Sequence, residues 1–136
     1  MFARAGHPPC LVVADGAVKG NWPEPPGPVL GIMASSQLAP RLHETTVQLR
    51  PGDAMLLHTD GLSEAFAPEG EMYGKTRLHQ KLARAGDVPA EQFVAELRAD
   101  VDRFRGDEPP TDDEALVLLR VLGRMGTPQP LGSSEE

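Results

Sequence analysis

Acidic residues stand at the ends of two apolar segments, where carboxylates can hold a metal ion. Asp60 follows the apolar start of MLLHTDGLSEAF at residues 55–66, and Asp112 and Asp113 precede the apolar run at 115–122. If the two runs form antiparallel neighbouring strands, the end of the first lies beside the start of the second. Convergent carboxylate oxygens suit Mg²⁺ or Mn²⁺, which take a few carboxylates and keep several waters. The spacing therefore permits a metal site formed by Asp60 and Asp112.

Both acidic positions also have an explanation that involves no ligand. Asp-Gly is a common turn pair, since Gly tolerates positive φ and Asp hydrogen-bonds its own backbone. Asp15-Gly16 fits such a turn, because it stands between two short β-rich runs. No alternating run follows Gly61, so a turn alone explains Asp60 less well. The later acidic pair is also explained as part of a solvated loop, and both interpretations stay open.

Histidine and cysteine residues show no spacing typical of a catalytic or metal site. His7, in AGHPP, is of the residue type that serves as a general base, but its Gly and Pro neighbours favour a role in holding a loop. The remaining histidines have no metal-ligand spacing to an acid and are assigned to the surface or to packing: His43, His58 and His79. The single cysteine, Cys10, excludes an internal disulfide, and its apolar neighbours favour a small buried hydrophobe over a reactive thiol.

No serine of the candidate segments lies in a nucleophile motif. Ser35, Ser36 and Ser63 stand outside any G-x-S-x-G sequence. Ser63 and Glu64 are interpreted either as support for Asp60 or as a cap that starts the next turn.

The composition limits the classes of function. With 136 residues the chain has the size of one domain, and 40% hydrophobic with 24% charged residues is an ordinary globular balance. The net charge is −7 and no cluster of basic residues is present, so nucleic acid is not an expected partner. The apolar runs are far shorter than the roughly 20 residues of a membrane helix, and residues 1–9 lack the apolar core of a signal peptide. We therefore expect no membrane association and a cytoplasmic location.

The elements that must position these residues form a β-rich front half. Residues 11–14 and 17–22 are predicted to form a hairpin, and 22–31 a proline-rich connection. Residues 42–50 alternate in the manner of a strand. A Pro-Gly-Asp turn then leads into a further strand at 54–59.

Helical periodicity begins in the back half. A short helix is predicted from Lys75 to about Gly86, and a longer helix begins at Pro89. Its apolar stripe has 3.6-residue spacing and predicts a core face: Phe93, Val94, Leu97, Val101 and Phe104. The nearly continuous apolar run at 115–122 predicts a buried strand. Residues 123–136 have the composition of a disordered tail.

Four segments together resemble, in order and spacing, the C-terminal half of the metal-dependent protein phosphatases of type 2C. They are AGHPPCLVV with its Asp-Gly hairpin, GPVLGIM, LRPGDAMLLHTDGLSEAFAPEGEMYG and PTDDEALVLLRVL. The most similar branch is the bacterial one that includes the stage II sporulation protein E and stress-response partner-switching phosphatases. The resemblance covers about residues 3 to 122. It assigns residues 1–122 to the C-terminal part of such a domain and leaves the tail outside it.

The resemblance implies a fold, an activity and two metal ligands. The fold is α+β, a partial α-β-β-α sandwich of antiparallel sheets flanked by helices. Asp60 matches the metal-ligand aspartate of the TDG motif, and Asp112 matches the second late ligand, with Asp113 as its neighbour. The implied reaction is Mn²⁺- or Mg²⁺-dependent hydrolysis of phosphoserine or phosphothreonine. The implied partner is a phosphoprotein, such as an anti-sigma-factor antagonist.

The sequence departs from the family pattern at two places. The first metal ligands of the family, including the bridging carboxylate, come from N-terminal strands, and nothing before ARAGHPP matches them. In the DD motif, Glu114 and Ala115 replace the more usual apolar residue and Thr. We therefore expect half of a metal site, negligible activity of this polypeptide alone, and self-association through an unpaired sheet edge. A fragment, a gene start placed too late and a decayed paralogue all stay open, so a non-catalytic, partner-binding remnant is the competing function.

Overall fold

A computed structural model describes residues 1–19 and 27–123 of the chain. The strands are β1 (Phe2–Ala3), β2 (Leu11–Ala14), β3 (Ala17–Lys19), β4 (Glu44–Thr45), β5 (Ala54–His58) and β6 (Leu116–Arg120). The helices are α1 (Ser35–Leu38), α2 (Asp60–Ser63), α3 (Gly74–Leu82) and α4 (Ala90–Arg105), with a 3-10 turn at Ala39–Arg41.

The main sheet is antiparallel, with the strand order β3-β2-β5-β6. The β2–β3 hairpin turns at Asp15 and Gly16, whose φ angles of 53° and 70° are those of a two-residue turn with both residues left-handed. The central strand β5 pairs with β2 on one side and with β6 on the other. His58, the last residue of β5, lies opposite Leu116, the first residue of β6. The end of β5 and the start of β6 therefore meet at one rim of the sheet.

The core lies between one face of this sheet and the helices α3 and α4. Along β5 the burial alternates, with Ala54, Leu56 and His58 buried on the helix side. The core is formed by Leu11, Val13, Ala54, Leu56, Leu62, Ala65, Tyr73, Leu78, Leu82, Ala85, Phe93, Leu97 and Val101. Of the predicted stripe of α4, Phe93, Leu97 and Val101 belong to the core and Phe104 packs against it, whereas Val94 is half-buried and lies outside it.

The strand β6 is half exposed, so the prediction of a buried strand at 115–122 was wrong. Val117 and Leu119 are 55% and 50% exposed, whereas Leu116 and Leu118 on the opposite face pack against the core. Within the described part of the chain, β6 pairs only with β5 and is the last strand of its sheet. A continuous apolar run predicts burial on both faces, but here only one face of β6 is covered by helices.

The strand predicted at 42–50 was also largely wrong. Only Glu44–Thr45 forms a strand, and it pairs with Phe2–Ala3. Thr45, Val47 and Leu49 are half-buried while their neighbours are exposed, so the alternation that suggested a strand is present. Residues 46–50 nevertheless have no strand partner among the described residues, and alternation alone does not form a ladder.

Some predicted features fall outside the described residues. They include the end of the 17–22 strand after Lys19, most of the proline-rich connection, and the tail from 124 to 136. The prediction of an α+β fold of antiparallel sheets with helices is confirmed. Over the described ranges, no helix has both the length and the apolar character that crossing a membrane requires.

Candidate metal centre

Asp60 begins a short helical turn directly after the central strand. Thr59 has extended backbone angles and precedes α2, a helix of 4 residues that starts with Asp60. Leu62 and Ser63 are buried and anchor this turn to the core, and the Ser63 hydroxyl donates to the main-chain carbonyl of Asp60 at 3.1 Å. The Asp60 side chain is exposed at the sheet rim. An acidic residue in the first turn is favourable there, because it faces the positive end of the helix dipole.

The second acidic segment, residues 112–115, is held at the same rim by hydrogen bonds to Thr59. The Thr59 hydroxyl donates to the carbonyl of Asp113 at 2.8 Å and accepts from the N–H of Ala115 at 2.9 Å. The Thr59 N–H donates to the carbonyl of Ala115 at 3.0 Å. Asp112 accepts the N–H of Asp113 on its carboxylate oxygen at 2.7 Å. One threonine therefore holds the acidic segment to the end of β5.

Gly61 allows the two segments to approach closely. A Cβ atom at this position would lie 2.6 Å from the carbonyl oxygen of Asp113 and 3.3 Å from that of Asp112. Any side chain would push the backbone of α2 away from the acidic segment, since 2.6 Å is far inside van der Waals contact. The glycine after Asp60 thus serves a close contact between segments rather than a turn.

Asp60 and Asp112 therefore lie on contacting backbone segments at one rim, with both side chains exposed. The neighbouring strands expected from the sequence are present, whereas the role of these carboxylates as ligands stays a prediction. Their chemistry fits a hard divalent cation, which prefers carboxylate oxygen. Over residues 1–19 and 27–123, however, no group of three or more His, Cys, Asp or Glu residues could hold a metal ion. The donor set is thus a partial one.

The buried histidine beside this rim has a packing role. His58 is 4% exposed, and its Nδ1 lies 2.9 Å from the carbonyl oxygen of Thr59. Burial lowers the pKa of His58 below its ordinary value, although the hydrogen bond to Thr59 opposes this effect. The imidazole is therefore neutral at pH 7 and stabilises the end of β5.

The remaining chemistry-bearing residues lie in structural settings. His7 is exposed, and its Nδ1 lies 3.0 Å from the carbonyl oxygen of Pro8, as a loop residue would. Cys10 is buried. Ser63 contacts the main chain of Asp60, not its carboxylate, and Glu64 is exposed.

Sequence reasoning missed a buried ion pair next to the acidic segment. Arg105, the last residue of α4, is 4% exposed; one guanidinium nitrogen donates to a carboxylate oxygen of Glu114 at 3.2 Å, and the other forms an ion pair with the second oxygen at 2.8 Å. A signal for it existed, because Arg105 follows Val101 by four residues and so continues the buried stripe of α4. A charged residue at such a position requires a buried partner.

Comparison with known proteins connects the whole described fold to one family. A sequence model of the family described as Stage II sporulation protein E (SpoIIE) matches residues 1–122. Among curated proteins, Protein IcfG of Synechocystis sp. is 27% identical over 81 residues, which are 60% of this chain and 12% of IcfG.

Solved phosphatase domains share the fold. The SiaA-PP2C domain of Pseudomonas aeruginosa has a TM-score of 0.63 at 22% identity, over 82% of this chain and 42% of that one. The phosphatase domain of the cell fate determinant SpoIIE from Bacillus subtilis, presoaked with Mn, has a TM-score of 0.60 at 21% identity, over 94% and 52%. A crystal form of the same domain without domain swapping gives 0.59 at 20%, over 99% and 54%. The chain spans about half the length of these domains and a small part of IcfG.

Proposed function

The chain belongs to the stage II sporulation protein E family, and we propose that it is the C-terminal part of a metal-dependent protein serine/threonine phosphatase domain. The observation that carries this proposal is the meeting of Asp60 and Asp112 at one sheet rim. Two exposed carboxylates that lie on contacting segments at one rim have the donor type that a hard divalent cation prefers. The fold shared with solved phosphatase domains supports it.

In this proposal Asp60 and Asp112 bind Mn²⁺ or Mg²⁺, with Asp113 as a neighbour of the second ligand. When bound, such an ion lowers the pKa of a coordinated water and offsets the negative charge of a phosphoryl group. The residues of this chain hold the ligands in place. Thr59 fixes the backbone of Asp113 by its hydroxyl group, and Gly61 leaves the space in which the two segments meet.

We further propose that the 136-residue polypeptide has negligible activity by itself. A two-metal site needs several carboxylates to hold both ions about 3.5 to 4 Å apart. Residues 1–19 and 27–123 bring fewer than three candidate ligands together, so in this proposal the remaining ligands lie outside these residues. The activity accordingly belongs to a complete domain of which this chain is one part.

The proposed substrate is a phosphoserine- or phosphothreonine-containing protein, such as an anti-sigma-factor antagonist in a partner-switching pathway of the cytoplasm. Support comes from the family match and from the exposure of both aspartates, which leaves the rim accessible to a folded protein. An enclosed pocket would instead select a small molecule.

A second candidate is a non-catalytic module that binds a protein partner or another copy of itself. The partial donor set favours this candidate for the isolated chain. The half-exposed apolar side chains of β6, Val117 and Leu119, supply a surface for association.

The experiment that separates the two candidates starts from the coding sequence upstream of Met1. An in-frame continuation with a further Asp-Gly segment supports the phosphatase, and an in-frame stop codon directly upstream supports the module. The longest natural polypeptide that contains this chain is then assayed for Mn²⁺-dependent phosphate release from a phosphoserine protein. We expect turnover that Asp60→Asn abolishes and that Asp107→Asn, a matched change in the exposed loop before Asp112, leaves unchanged. Turnover by the 136-residue chain alone would contradict its proposed inactivity.

A further inference from the structure

A buried ion pair joins the end of α4 to the acidic segment. Arg105 and Glu114 form a two-point contact, with one guanidinium nitrogen 2.8 Å from Oε1 and the other 3.2 Å from Oε2. The second nitrogen also lies 2.8 Å from the carboxylate of Asp102. The side chains of Arg105 and Glu114 are 5% and 15% exposed. Because the pair is buried, separating it would leave a charge without a partner in the interior, which is strongly unfavourable.

The pair connects the two ends of an exposed loop. Residues 106–113, which connect α4 to the acidic segment, are all exposed. At one end the loop leaves α4, whose residues Phe93, Leu97 and Val101 are buried in the core. At the other end Glu114 directly follows Asp113. Arg105 and Glu114 therefore tie both ends of an exposed loop to a helix that cannot move independently of the core.

The opposite side of the acidic segment is held by a different contact. The Thr59 hydroxyl bonds the backbone at Asp113 and Ala115, and it belongs to the end of β5. Thr59 therefore fixes the segment to the sheet, while Arg105 fixes it to the helix layer. The segment that contains Asp112 lies between these two attachments.

We propose that Arg105 and Glu114 are positioning residues that hold Asp112 and Asp113 at the rim beside Asp60. This proposal rests on the proposed metal site, and it adds a residue pair that the family motif does not require, since Glu114 stands where an apolar residue is usual. Neither residue needs to touch the ion. Their role is to limit the positions that the Asp112 carboxylate can adopt.

The change in Mn²⁺ affinity caused by Arg105→Gln distinguishes a positioning role of Arg105 from a purely electrostatic one, because the two roles predict changes in opposite directions. Arg105→Gln removes a positive charge near the site, so a purely electrostatic role of Arg105 predicts tighter Mn²⁺ binding. Positioning predicts weaker binding, about tenfold, as is usual when a group that orients a ligand is lost. Arg103→Gln is the matched control, because Arg103 lies on the same helix with a side chain 75% exposed and should change affinity little. Tighter or unchanged binding in Arg105→Gln would overturn the proposal.

Amide hydrogen exchange supplies a readout that does not depend on metal. The N–H of Asp113 donates to the carboxylate of Asp112, and the N–H of Ala115 donates to the hydroxyl of Thr59. In Arg105→Gln and Glu114→Gln we expect faster exchange at 112–115 with unchanged protection in β2 and β5. Equal acceleration throughout the chain would indicate general destabilisation, and unchanged exchange at 112–115 would show that the pair does not position the segment. Either result overturns the proposal.

A double variant covers the case in which the single variants do not fold. Arg105→Met with Glu114→Leu removes the pair without a net change of charge, and such replacements of buried pairs often preserve stability. It should show the same local acceleration at 112–115, and wild-type exchange there would overturn the proposal. If the wild-type chain alone does not bind Mn²⁺, affinity is measured in the longest natural polypeptide that contains it; absence of binding there contradicts the proposed function, while the exchange results still decide whether the pair positions the segment.

Discussion

The substitution Gly61→Ala tests the close approach at the candidate metal site. An alanine Cβ would lie 2.6 Å from the Asp113 carbonyl oxygen, about 0.8 Å inside an ordinary contact of roughly 3.4 Å. The Cβ is attached directly to the backbone and the carbonyl is part of it, so neither can turn away without a shift of the main chain. In a helix, Gly→Ala is otherwise stabilising by up to about 1 kcal/mol. Overpacking that displaces backbone costs about 1 to 3 kcal/mol. With a cost of about 2 kcal/mol, the middle of this range, the clash exceeds the helix gain and the net loss should be about 1 kcal/mol.

The assay is urea unfolding of the full chain, with Gly86→Ala as the matched control. A Cβ at Gly86 would lie 3.8 Å from the carbonyl oxygen of Gly52, its nearest neighbour outside the adjacent residues, which is an ordinary contact. Gly86→Ala should therefore leave stability unchanged or raise it slightly. Because Gly61→Ala also separates Asp60 from the acidic segment, it should weaken Mn²⁺ binding. Equal or higher stability of Gly61→Ala would refute the close approach.

Two further predictions concern pH and association. Burial lowers the pKa of His58 below 6.5, so the unfolded chain binds more protons than the folded chain at pH values between the folded pKa and 6.5. The contribution of His58 to the free energy of unfolding should be constant above about pH 6.5 and fall by up to about 1.4 kcal/mol per pH unit below it. In urea unfolding, His58→Gln should therefore reduce the dependence of stability on pH, whereas His43→Gln, at an exposed histidine, should leave it unchanged. On the apolar face of β6, Val117→Lys and Leu119→Lys should lower the apparent mass in light scattering without loss of cooperative unfolding, because both side chains are half exposed. A wild-type monomer, or association that survives both substitutions, would contradict association through this face.

Local periodicity predicted the parts of the fold that depend on one segment. The stripe through Phe93, Leu97 and Val101 follows from 3.6-residue spacing, and α4 buries these residues. The hairpin at Asp15 follows from turn chemistry alone. Arg105 continues the same stripe, but its position alone does not identify the residue that pairs with its charge. Its burial depends on a partner from beyond the following loop.

The errors arose where burial depends on other segments. The alternation at 42–50 is present, but it lacks a neighbouring strand in the described part of the chain. The apolar run of β6 does not reveal which of its faces a helix covers, and Val117 is 55% exposed.

The rim of the candidate site could be predicted in outline only. Antiparallel pairing of β5 with β6 suffices to bring Asp60 and Asp112 to the same end of the sheet. The two hydrogen bonds of the Thr59 hydroxyl and the space left by Gly61 depend on the three-dimensional contact between the segments. No spacing in the sequence reveals such contacts.

Mn²⁺ binding by the longest natural polypeptide that contains this chain tests the central claim that Asp60 and Asp112 are ligands of one ion. The free-ion signal in electron paramagnetic resonance measures binding directly and requires no turnover. We expect the wild-type polypeptide to reduce this signal and both Asp60→Asn and Asp112→Asn to restore it. Asp107→Asn, which removes one charge from the exposed loop before Asp112, should bind as the wild type does. A wild-type polypeptide that leaves the signal unchanged, or binding that persists in both ligand variants, would contradict the claim.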